Sequence, residues 1–104
     1  MTTKLVQKDL LKGTREFEIV DDAINVRIKT PFKEKRSTVV LEILNPDPVL
    51  NGSNLEFHSR VKCGPLLTLM VNKPNKAEYE AFVEEVSRRA KSAFDAFAGI
   101  KPLT

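Results

Sequence analysis

The chain has 104 residues, 30% of them charged and 41% hydrophobic, with a net charge of +3. That composition excludes a disordered tract and fits one small water-facing domain spanning 1–104. The mild basic excess permits an anionic partner without requiring one, and the single cysteine, Cys63, excludes an intramolecular disulfide.

Residues 4–11 fit a strand or a short edge helix. Phe17 and Ile19 alternate with Glu16 and Glu18, Asp21-Asp22 provides a turn, and Ile24, Val26 and Ile28 alternate with Asn25, Arg27 and Lys29. Period-two alternation on both sides of a turn predicts a β-hairpin with one buried and one wet face. Pro31 to Arg36 reads as a charged connection and Ser37 to Leu44 as a third strand. Pro46 and Pro48 then interrupt strand pairing, because proline lacks the amide donor. Asn51-Gly52-Ser53-Asn54 is a turn cluster. A fourth strand runs from Leu55 to about Val61, and Cys63-Gly64-Pro65 leads into a fifth from Leu66 to Val71.

The strongest local signal lies in residues 75–99. Tyr79, Phe82, Val83, Val86, Ala90, Ala93, Phe94 and Phe97 follow the i, i+3, i+4, i+7 spacing of one helical stripe. Asn75 is the expected N-cap, with Glu78 placed to complete a capping box. Gly99 and Pro102 supply stop signals. Early acids and late bases agree with the helix dipole, and Glu84–Arg88 and Glu85–Arg89 are spaced as i, i+4 pairs.

The expected fold class is therefore α+β: an antiparallel, strongly bent sheet of five or six strands, about 15–71, closed by one long helix, about 75–98. Val39-Val40-Leu41 with Ile43-Leu44, and Leu66-Leu67 with Leu69-Met70-Val71, are apolar on both faces. Such strands need cover on both sides, whether from a curled sheet, an N-terminal element or a second subunit. The order of hairpin, further strands and closing helix resembles the pleckstrin-homology-like superfold over roughly residues 15 to 98. The resemblance implies a bent sheet capped by the helix, and basic residues on an early hairpin that bind phosphorylated head groups. That family usually has seven strands and a tryptophan in the closing helix; the sequence offers five or six strands and no tryptophan. A flatter sheet with one helix, paired in a dimer, is the alternative.

Catalytic signals are sparse. His58 is the only histidine, and zinc requires about four ligands. Cys63 lies five residues from His58, a spacing that puts the two on opposite faces of a strand. Asp21, Asp22 and Asp47 occupy turn positions where their side chains bond local backbone. No phosphate loop, nucleophile elbow or HExxH is present. No cofactor is expected, and an enzyme is disfavoured. No secretory signal or membrane-spanning run is read, and a cytoplasmic setting is the simplest expectation.

Three functions fit these residues. The first is a non-catalytic protein-interaction module, homo-oligomeric or docking to a protein partner, with Phe94 and Phe97 as interface candidates. The second is a basic hairpin of Arg27, Lys29, Lys33, Lys35 and Arg36, with Phe32 at its tip, that binds anionic phospholipid head groups or nucleic acid. The third is a small-molecule carrier or enzyme with an apolar pocket under the helix, lined by Phe57, Met70 and Phe82.

Overall fold

The computed structural model describes residues 3–9, 11 and 13–97, with the backbone alone at 96 and 97. Strands β1 (Lys4–Asp9), β2 (Gly13–Val20), β3 (Ala23–Lys29) and β4 (Glu34–Val40) form one antiparallel sheet in sequence order. A 3₁₀ turn at Leu41–Ile43 ends it. Strands β5 (Val49–Asn51), β6 (Asn54–His58) and β7 (Pro65–Met70) form a second antiparallel sheet, followed by helix α1 (Lys76–Phe97).

The α+β class and the closing helix agree with expectation, but the single strongly bent sheet of five or six strands is replaced by two sheets of four and three strands. The expected third strand was to run from Ser37 to Leu44; β4 instead spans Glu34–Val40. The chain breaks where Leu41 and Leu44 can both turn inward. Leu44 donates its amide to the Leu41 carbonyl at 3.1 Å, and both side chains are buried. The i, i+3 step of a 3₁₀ turn brings two leucines to one side, which strand geometry cannot do. Pro46 and Pro48 follow, so the next strand starts a new sheet. The two apolar runs are thereby largely covered within the chain: Val39, Leu41, Leu44, Leu67 and Leu69 join one cluster with Phe82, Val86 and Ala90 of α1.

The two sheets meet through a side chain. Gln7 on β1 is fully buried; its Oε1 accepts from the Met70 amide at 2.8 Å, and its Nε2 donates to the Met70 carbonyl at 2.7 Å and the Lys73 carbonyl at 2.8 Å. An amide side chain thus supplies the pairing that a backbone ladder would supply in a continuous sheet.

The register sorts the four-stranded sheet into two faces. Leu5, Phe17 and Val26 form one inward row that ends at exposed Ser37, and Gln7, Arg15 and Ile28 form the next, which ends at exposed Lys35. The helix lies on this side, with the Phe17 and Phe82 rings 6.3 Å apart and tilted by 48°, a favoured aromatic arrangement. Gly13 opens β2 at φ +87°, where a Cβ would stand 2.0 Å from the Lys29 carbonyl oxygen. Only glycine allows that approach. Helix α1 begins as expected: the Asn75 Oδ1 accepts from the Glu78 amide at 2.9 Å. Glu78 returns its carboxylate to the Asn75 side-chain amide rather than to backbone. Arg88 turns to Glu85 beside Arg89, so one buried carboxylate takes both arginines. Gly99 and Pro102, read as stop signals, lie outside the described residues.

Candidate functional site

The β3–β4 hairpin carries the basic residues, but it begins its second strand earlier than expected. Glu34 to Arg36 belong to β4, so the connection shrinks to residues 30–33. Pro31 restricts the backbone there. Thr30 donates its amide to the Lys33 carbonyl at 2.8 Å, and Lys33 returns its amide to the Thr30 hydroxyl at 3.1 Å. This closed turn leaves Phe32 outside it, 94% exposed.

Alternation then divides the five basic residues. Arg27, Lys29 and Arg36 share the outer face, Lys33 sits in the turn, and Lys35 pairs with Ile28 on the other face. On the outer face the cations are interleaved with acids. Glu34 accepts from Arg27 at 2.9 Å and from Arg36 at 3.1 Å, and the Arg27 hydrogen bond leads the causes that hold its carboxyl below the usual range. Glu16 lies between Lys4 at 3.8 Å and Lys29 at 3.9 Å. A groove of about 440 Å³ on this face is lined by Lys4, Glu16, Glu18, Arg27, Arg36 and Thr38. Its mixed charge is poorly suited to a polyanion lying flat on the sheet.

The hairpin end differs. Lys8, Lys33 and Lys35 form no ion pair within 4 Å with a described residue. Register places the β1–β2 and β3–β4 turns at the same end of the sheet: Asp9 faces Gly13, and Thr14 faces Lys29, which faces Glu34. Leu11 occupies the first of these turns, its amide bonded to the Asp9 carboxylate at 2.8 Å and its side chain 93% exposed. Leu11 was missed in the sequence. The signal was an apolar pair, Leu10-Leu11, directly before Lys12-Gly13, where a turn needs polar residues.

The other candidates fall elsewhere. The ring of Phe94 is half-buried, with the Arg60 guanidinium 3.5 Å from its centroid. Arg60 also donates to the Leu44 and Ala90 carbonyls at 3.0 and 3.2 Å, and burial pulls its pKa downward. The Phe97 side chain lies outside the described residues. His58 meets Glu56 at 3.1 Å on the three-stranded sheet, and Cys63 is exposed. Phe57 and Phe82 are fully buried and Met70 nearly so. Among the described residues no group of three or more His, Cys, Asp or Glu is placed to hold a metal ion, and no helix is long and apolar enough to cross a membrane. Comparison with models of protein families, with curated proteins and with solved structures finds no match.

Proposed function

We propose that the chain is a non-catalytic binding module that engages an anionic partner through the end of its four-stranded sheet. The observation that carries this reading is the placement of Lys8, Lys33 and Lys35, without ion pairs to described residues, around two hairpin turns at one end. The four-plus-three strands and terminal helix support a pleckstrin-homology-like plan, although a shared plan does not fix a function. Retention on heparin-agarose is the test. The parent is expected to elute at higher salt than Lys33→Glu with Lys35→Glu, and equal elution removes the reading.

A second reading is self-association through the free side of β5. Val49 and Leu50 are 53% and 67% exposed on this three-residue strand, which ends its sheet, and an open strand edge can pair with another chain. Light scattering at micromolar concentration is expected to show a dimer that Leu50→Lys dissociates. A monomeric parent removes this second reading.

A further inference from the structure

We infer that the partner is an anionic lipid bilayer, met end-on, with Leu11 and Phe32 entering the boundary between head groups and acyl chains. This rests on the binding reading above and names its ligand. Seven large hydrophobic side chains are exposed among the described residues; five are 38–68% exposed, while Leu11 and Phe32 exceed nine-tenths. Those two occupy neighbouring hairpin turns of one sheet end. Two strand spacings separate the hairpin midlines, roughly 10 Å. Single exposed apolar residues need no explanation. Two nearly bare ones, co-located with Lys8, Lys33 and Lys35, do; of the acids at this end, Asp9 lies 3.7 Å from Lys73 and Glu34 is held by Arg27 and Arg36.

The arrangement of charge selects the occupant. Lys8 and Lys29 stand on one face of the sheet end, Lys35 on the other, and Lys33 in the turn between. Cations on both faces fit a plane approached by the tip; a groove ligand would require them on one face. Separated apolar tips with polar residues between them lack the contiguous core of a protein interface, but a fluid interface closes around each one. Nucleic acid fits less well, because the flat outer face presents Glu16 and Glu18 to phosphates and offers no aromatic platform for bases. Lysines near anionic lipid and apolar side chains below the head groups reinforce each other in interfacial binding.

The chain contains no tryptophan, so Phe32→Trp provides a single reporter at an exposed position. Mixed phosphatidylcholine–phosphatidylserine vesicles are expected to shift its emission to the blue, with quenching by bromine atoms carried on the acyl chains. Leu11→Ser and Phe32→Ser are each expected to lower vesicle partitioning roughly tenfold. Lys33→Gln with Lys35→Gln is expected to lower it about 10–30-fold at low salt, and Val61→Ser, in the β6–β7 connection, to leave it unchanged. Salt-sensitive vesicle binding with unshifted, unquenched emission overturns insertion while the anionic-binding reading stands. Binding to single-stranded DNA without binding to vesicles overturns the lipid assignment in the same way. Failure on heparin, vesicles and DNA removes both readings.

Discussion

Gln7 joins the two sheets with three hydrogen bonds from a fully buried side chain. Gln7→Leu keeps a comparable volume but leaves the Met70 amide and two carbonyls without this partner. The loss is expected to be roughly 2–4 kcal/mol, because buried polar groups stripped of a partner retain their desolvation cost. A urea titration followed by circular dichroism measures it, and a change below about 1 kcal/mol would show that water or backbone movement replaces the amide. Residues 4–11 fit a strand or a short edge helix by sequence, and Leu5-Val6-Gln7 gave no hint of this role. Nothing local distinguishes a glutamine facing solvent from one facing the edge of a second sheet, since its partners lie 63 and 66 residues away.

On the helix, Glu85 sits beneath Arg88 and Arg89 with its side chain only 10% exposed. Hydrogen bonds, first from Arg89 and then from Arg88, hold its carboxyl below the ordinary glutamate value. A carboxylate whose pKa is depressed on folding contributes stability that is complete above the unfolded value, about 4.3, and is lost as pH falls through the folded one. Melting temperature is therefore expected to drop below about pH 4, and Glu85→Gln should flatten this acid limb while lowering stability at neutral pH. An acid limb identical in the two proteins would assign the loss to other carboxylates. Glu34 titrates in the same direction but from an exposed hairpin, where solvent screening reduces its effect. The helix itself was legible from its period and cap because those signals lie within a few residues of each other. The replacement of the spaced Glu84–Arg88 pair by Glu85–Arg88 was not, since side-chain choice depends on which carboxylate the core shields.

At the scale of the molecule, the sequence conveyed strand alternation, the turn at Asp21 and the closing helix, each set by local sterics and period. It did not convey the division into two sheets. That division depends on Leu41 and Leu44 finding cover under α1, a packing event between segments some forty residues apart. The candidate site was legible in composition and not in placement. The basic run was visible as a string, but strand register set Lys35 on one face and Arg27 with Arg36 on the other, and brought in Lys8 and Leu11 from a separate hairpin. The Gln7 connection also has a kinetic meaning. The side chain that joins the sheets also holds the Lys73 carbonyl just before the helix, so local opening at this seam loosens sheet edge and helix entry together. Sheet seam and helix start are then expected to behave as one cooperative unit in hydrogen exchange, their amides opening in a single event rather than fraying separately.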